Sequence, residues 1–252
     1  MEVTFLGTGT GAPSARRGSP GLIVKESGIT LLFDSGTGTL RQIERAGLSY
    51  NDVDNIFYTH LHPDHVAELA PYLFAARYFS GFTRSDPVNI LGPEGLLKFH
   101  ELQHEAFGHW IEPAEGMIIL SEIFPNDKFQ CGPLTVEARP IMHLAQSLGY
   151  RISDSSGTTL AISGDTDFSP ELIELARDVD LLVTECSFPE GIKIEGHLVP
   201  SQAGIAAREA GAKALALTHF YPECDGQDLL GPLSQEYSGP VTLAEDLLSI
   251  TV

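Results

Sequence analysis

Apolar positions in this 252-residue chain fall in short runs separated by glycine- and proline-rich turns. The runs Glu2–Leu6, Leu22–Lys25 and Ile29–Phe33 predict strands from their β-branched and aromatic content and flanking turn residues. Thr39–Ala46 changes to a helical spacing that stops at Gly47. Asn55–Thr59 predicts a short strand, followed by a helical pattern over Val66–Phe79. Val88–Leu91 predicts another strand, and Pro93 opens a helix running through Phe107, proline being tolerated at the first helical position. Strands follow at Met117–Ile123, Leu134–Ile141, Leu148–Ile152 and Thr159–Ile162. Then come a helix at Pro170–Arg177, a strand at Leu181–Thr184, a helix at Ser201–Ala210, a strand at Ala214–Leu217 and an edge strand within Leu247–Val252. Both halves, roughly 1–115 and 116–252, pass from strands into alternating helices and strands. No linker or repeat divides them. This predicts one α/β domain over 1–252, with sheets inside and helices outside.

Composition narrows the class. With 42% hydrophobic and 19% charged residues the chain is built to bury a core. Fifteen lysines and arginines against 34 acidic residues give a net charge of −19, which argues against a broad nucleic-acid face or an anionic membrane surface. The N-terminus MEVTFLGTGTG has neither the basic nor the apolar region of a signal peptide, and no apolar run is long enough to span a bilayer. Cys131, Cys186 and Cys224 are too few and too scattered for a disulfide framework, so a reducing cytoplasm is expected.

Polar residues recur where strands end: Asp34, His60, His143, Asp165, Glu185 and His219. In α/β proteins such positions gather into sites. The densest is Thr59-His60-Leu61-His62-Pro63-Asp64-His65, between a predicted strand and a predicted helix. Imidazole nitrogen and carboxylate oxygen are good ligands for zinc and similar cations. One turn can direct His60 and His62 at one ion, with Asp64 and His65 available to a neighbour.

This HxHxDH motif resembles that of the metallo-β-lactamase-fold hydrolases, and the resemblance extends over nearly the whole chain. His143 in Pro140-Ile141-Met142-His143, Asp165 in Ser163-Gly164-Asp165-Thr166 and His219 in Leu217-Thr218-His219-Phe220 occur in the family's order. The resemblance implies a four-layer αβ/βα sandwich with a binuclear site. His60, His62 and His143 would hold one metal, Asp64, His65 and His219 the second, and Asp165 would bridge. A hydroxide between the ions would be the nucleophile. Zinc is the first choice of metal, and manganese or iron also suit the donors. Asp34 matches an early aspartate of the family and would orient a ligand or form a turn.

The start Phe5-Leu6-Gly7-Thr8-Gly9-Thr10-Gly11 and the segments Thr184-Glu185-Cys186-Ser187-Phe188 and Gly196-His197-Leu198-Val199-Pro200 resemble the ribonuclease Z branch. Carried over, His197 would protonate the leaving oxygen, with Glu185 as its partner. Transfer-RNA-processing members carry a long arm between the positions matched by His143 and Asp165. Here those are only 165 − 143 = 22 positions apart, leaving no room for it. The expected substrate is therefore a small or short phosphodiester, with long nucleic acid disfavoured. Lactone or thioester hydrolysis and tRNA 3′ processing remain as alternatives, and a homodimer is expected by analogy.

Other positions are expected to play lesser parts. Arg16 and Arg17 could meet a substrate phosphate or sit in a solvated loop. Trp110 could line a pocket or form a lid, a buried helix end being the first expectation. His100 and His104 share a helix face near His109 without a third ligand and are expected at the surface. Tyr221 could touch a substrate. Glu68 is expected to face solvent.

Overall fold

A computed structural model describes residues 1–252. The strands are β1 (Glu2–Gly7), β2 (Gly21–Glu26), β3 (Ile29–Phe33), β4 (Asn55–Phe57), β5 (Val88–Gly92), β6 (Ile118–Glu122), β7 (Lys128–Cys131), β8 (Leu134–Pro140), β9 (Leu148–Ser153), β10 (Thr159–Ile162), β11 (Leu181–Glu185), β12 (Leu215–Thr218), β13 (Val241–Leu243) and β14 (Ser249–Thr251). The helices are α1 (Thr39–Arg45), α2 (Pro63–Val66), α3 (Leu69–Tyr78), α4 (Leu96–Phe107), α5 (Pro170–Leu175), α6 (Pro200–Ala210) and α7 (Leu230–Ser234).

The strands form two seven-stranded sheets, ordered β14-β1-β2-β3-β4-β5-β6 and β13-β12-β11-β10-β9-β8-β7. Each has an antiparallel part and a parallel part, β3 to β6 in the first and β10 to β13 in the second. One apolar layer lies between the sheets, joining Phe5, Phe33 and Phe57 to Tyr150, Ile152 and Val183. A second covers the outer face of the first sheet with Val66, Leu73 and Leu96, and a third covers the outer face of the second with Leu172, Ala203 and Leu217. Helix, sheet, sheet and helix thus stack as an αβ/βα sandwich. The central strands are buried on both faces, which is why they read as continuous apolar runs.

Several elements differ from expectation. The helical pattern over Val66–Phe79 resolves into α2 and α3. Glu68 stands at the break and does not simply face solvent: its carboxylate accepts the Gly38 and Leu40 amides, both at 2.6 Å, and so caps α1. Fixed charge near exposed N–H groups makes a strong cap, but no local pattern shows it because the partner lies about 30 positions away. The fourth helix begins at Leu96 instead of Pro93, because Gly95 adopts φ +101° and Glu122 accepts the Gly95 and Leu97 amides. The strand expected to open the second half, β6, pairs with β5 and completes the first sheet. The short β7 and β13 carry too few residues for a visible alternation. Within Leu247–Val252, Ser249–Thr251 closes the first sheet beside β1. Trp110 is not a buried helix end. It lies half exposed on a 3₁₀ turn over Gly108–Ile111, against Tyr78, and the turn buries Ile111 instead.

Candidate metal centre

The C-terminal ends of β3 and β4 in one sheet meet those of β10, β11 and β12 in the other. Side chains leaving these ends converge from both sheets. Asp34 follows β3, the His60–His65 segment follows β4, His143 follows β8, Asp165 follows β10, Glu185 ends β11 and His219 follows β12. Asp34 and His219 hold left-handed backbone conformations, φ 57° and 59°. Such strain persists where the surroundings over-determine it, often at functional sites. At Gly36 a β-carbon would stand 2.0 Å from the Asp64 carbonyl oxygen, so only glycine lets α2 approach this closely.

The seven residues singled out by the sequence form two groups of donors. His60 Nε2 lies 3.0 Å from His62 Nδ1, and His143 Nε2 lies 3.2 Å from the same atom. Asp165 Oδ2 faces them, 3.8 Å from His60 and 3.9 Å from His143. On the other side Asp165 Oδ1 is 3.3 Å from both His65 Nε2 and His219 Nε2. Asp64 Oδ2 joins this second group, 3.5 Å from His219 and 3.9 Å from His65. The donor atoms of His60, His62, His143 and Asp165 lie within 4.8 Å of one another, and so do those of Asp64, His65 and His219. His65 Nε2, His219 Nε2 and Asp165 Oδ1 are buried without a hydrogen-bond partner. Leaving such atoms bare is costly, so three together aimed at one point fit a bound cation.

The titration behaviour follows from this crowding. Burial, with the neighbouring His65, holds His60 well below the ordinary imidazole range. His62 is lowered by burial and by His143. Burial also acts on His65, but Asp165 and Asp34 on either side hold it well above that range. Burial would raise Asp165, yet His219 and His65 hold it well below the usual carboxylate range. The cluster draws positive charge into its middle, either protons on imidazoles or a metal.

The outer nitrogens are braced. His65 Nδ1 bonds Asp34 Oδ2 at 2.8 Å, and Asp34 also accepts the Thr59 amide and hydroxyl. His60 Nδ1 meets Thr59 Oγ1 at 3.0 Å, and His143 Nδ1 donates to the Gly196 carbonyl at 3.0 Å. His219 Nδ1 meets Ser187 Oγ at 2.9 Å. Asp34 thus orients a donor, the first of its two expected roles. Beside the cluster, buried Glu185 accepts the His197 Nδ1 proton at 2.9 Å, as well as the Thr166, Ser187 and Leu198 amides. Burial opposes a charge on His197, but the bond and charge of Glu185 outweigh it and raise its pKa. His197 stacks on His219 at 5.9 Å and also falls in a third donor group with Asp165 and His219.

Residues unmarked in the sequence complete the surround. Ser187 Oγ meets the Nδ1 atoms of both His197 and His219. Its position two after Glu185 was the only available signal. Lys193 Nζ bonds Asp167 Oδ1 at 2.7 Å and also the His197 carbonyl, while Asp167 Oδ2 accepts the Gly196 amide at 2.9 Å. This clasp ties the loop carrying His197 to the turn carrying Asp165. Tyr221 stacks on Phe188 and sits 6.1 Å from the His197 ring, at the edge of the site. Arg17 is structural: it donates to Thr8 Oγ1 and the Ala244 carbonyl and lies over the Phe220 ring. His104 pairs with Glu112 at the surface, as expected.

Known structures share this architecture. The YhfI metallo-β-lactamase-fold protein of Bacillus subtilis superimposes with a TM-score of 0.86 and 25% identity, over 99% of this chain and 98% of its own. The short form of human tRNase Z (ELAC1) superimposes with a TM-score of 0.81 and 28% identity, over 100% and 99%. In sequence, the ribonuclease BN of Cronobacter sakazakii is 32% identical over 312 aligned residues, spanning all of both chains. That alignment leaves at least 312 − 252 = 60 positions at which this chain has no residue. A family profile described as anti-Pycsar protein Apyc1 matches residues 1–198. The fold and the relatives define a metallo-β-lactamase-fold, metal-dependent hydrolase. Within that class the chain belongs to the ribonuclease Z-like branch and to the family of the anti-Pycsar protein Apyc1.

Proposed function

We propose that the protein is a phosphodiesterase that uses two divalent cations, zinc first among them, on a small or short phosphodiester. The observation that carries this is Asp165, whose two oxygens each face a separate group of histidine donors. His60, His62 and His143 would hold one cation and Asp64, His65 and His219 the other, with Asp165 available to both. Two such ions would supply an ionised water at neutral pH and neutralise charge on the phosphoryl oxygens. The chain's own groups do the rest. Glu185 accepts from His197 Nδ1, which fixes the ring and keeps a proton on Nε2 for the departing oxygen. Ser187 bridges this pair to His219, so the acid and the metal donors share one rigid frame. Asp34 and the Gly196 carbonyl orient His65 and His143.

A tRNA 3′-processing activity has the names of the relatives in its favour. The separation of only 22 positions from His143 to Asp165 and the charge of −19 count against an extended polyanion. The test is a metal assay with a substrate panel. Protein purified without chelator should carry close to two equivalents of tightly bound metal and turn over bis-p-nitrophenyl phosphate with Zn²⁺ or Mn²⁺. Turnover of a lactone or thioester alone would overturn the phosphodiester reading. Efficient cleavage of a tRNA precursor, with poor turnover of short diesters, would favour the ribonuclease.

A further inference from the structure

The metal cluster opens into a groove that leads away from it toward four arginines. Its first part is a cavity of about 400 Å³ with Asp64 and Pro63 on one wall and Thr10, Gly11 and Ser14 on the other. Ser14, Arg17, Gly18, Ser19 and Thr37 also line the next cavity, of about 390 Å³, so the two are continuous. That second cavity is walled by Arg16 and Arg17 from the Gly-rich loop and by Arg41 and Arg45 from α1. Four of the ten arginines in the chain meet there; Arg17 is held by Thr8 and the Ala244 carbonyl, and Arg16, Arg41 and Arg45 are exposed. The one acidic residue in its lining is Asp246. Counting it, the cavity carries 4 − 1 = +3, and the rest of the molecule carries 11 − 33 = −22. A positive spot of this kind on an acidic body attracts anionic ligands.

We infer that this groove is a subsite for a second phosphate group of the substrate, beyond the phosphodiester that is cut. The inference rests on the phosphodiesterase reading and specifies its substrate class. Asp246 offers the arginines no free acceptor, because its Oδ1 accepts the Thr8 amide and hydroxyl and its Oδ2 accepts Gly18 N and Gln42 Nε2. A carboxylate has about four acceptor sites, and all of these are used. Arg41 is exposed. Arg45 is exposed and bonds only the neutral Gln42 Oε1. Arg16 lies at the rim in exposed pairs with Asp225 and Glu245, which a phosphate can displace at little cost. Ser14 Oγ accepts the Arg16 and Arg17 amides, which leaves its hydrogen free to donate. Guanidinium forks match phosphate bidentately, and the cavity contains no lysine, so the donor set suits an anion with several oxygens, such as a phosphate, better than a lone point charge.

The test compares dithymidine phosphodiesters that carry a terminal phosphate at the 5′ end, at the 3′ end, or at neither. One of the two phosphorylated forms should show a KM lower by roughly tenfold, as one or two charge-assisted contacts require. In the Arg41→Gln/Arg45→Gln double variant that advantage should disappear. Equal KM values for all three substrates would overturn the subsite, even with bis-p-nitrophenyl phosphate turned over normally. Calorimetry with pyrophosphate on the metal-free protein reads the groove without turnover. Binding that weakens in the double variant supports the subsite, and identical binding in both proteins overturns it. If no diester is hydrolysed, the phosphodiesterase reading fails, and the calorimetry still decides whether the groove holds phosphate.

Discussion

Asp34, following β3 in the first sheet, and Glu185, ending β11 in the second, each accept a proton from a histidine Nδ1, at 2.8 and 2.9 Å. Both carboxylates are buried, both take backbone amides as well, and both raise the pKa of the histidine they hold. The two histidines still face different surroundings. His65 is fully buried and aims Nε2 at Asp165 and Asp64, so it completes a ring of acceptors that calls for a cation. His197 lies at the edge, beside Tyr221 and Phe188, with no carboxylate as near to its outer nitrogen as Glu185 is to its inner one. The same carboxylate–imidazole unit can thus make a better metal donor or a better acid. What decides is the far side of the ring.

The largest expected effect tests that distinction directly. His197→Ala should lower kcat by about 10²- to 10⁴-fold, the usual contribution of a positioned acid, while metal content measured by atomic emission stays at the wild-type level. Loss of a metal equivalent would place His197 among the ligands, with Asp165 and His219, and end the comparison. Next, Asp34→Asn should weaken metal affinity roughly 10- to 100-fold in chelator competition, with most of the turnover recovered at saturating metal. If excess metal restores nothing, Asp34 has another role.

Glu185→Gln sharpens the contrast through pH. Glu185 raises the pKa of His197, and with His197 in the proposed role of acid, which works only while protonated, activity should fall as pH rises through that raised pKa. Removing the charge should move the alkaline limb of the kcat profile to lower pH, and an unmoved limb would assign that limb to another group. The smallest effect belongs to the clasp. Lys193→Met should reduce kcat by less than about tenfold at unchanged KM, since it loosens the His197 loop without touching the reacting atoms. Lys193→Arg should restore part of the loss, and a drop confined to KM would count against a positioning role.

The site was readable where its chemistry is local. His60, His62, Asp64 and His65 fall within six positions, and a strand-to-helix turn leaves their side chains few directions. His143, Asp165 and His219 became readable only through their order after that segment, since a single histidine at a strand end has no distinctive pattern. Glu185 stood out as a polar residue at a strand end, but its pairing with His197 came from resemblance alone. The braces were not readable. Thr59, Ser187, Asp167 and Lys193 act through contacts made in three dimensions, and Lys193 lies in an irregular loop whose composition looks like ordinary surface. In the fold, the long apolar strands stood out because they are buried on both faces. The three- and four-residue strands β7 and β13 did not, and neither did the Glu68 cap that splits one helical pattern into α2 and α3.

Asp246 has a consequence for the order of assembly. The loop beside the metal cluster is built from residues 8–18, yet the carboxylate that pins Thr8 and Gly18 stands 238 and 228 positions further along. During synthesis the histidine-rich turn after β4 emerges long before this anchor. Contacts of such sequence separation close late and slowly. The nascent chain therefore presents a set of metal donors while the wall of the cleft beside them is still unpinned. The wall of this cleft is therefore completed only once Asp246 has been made and has folded back onto residues 8–18.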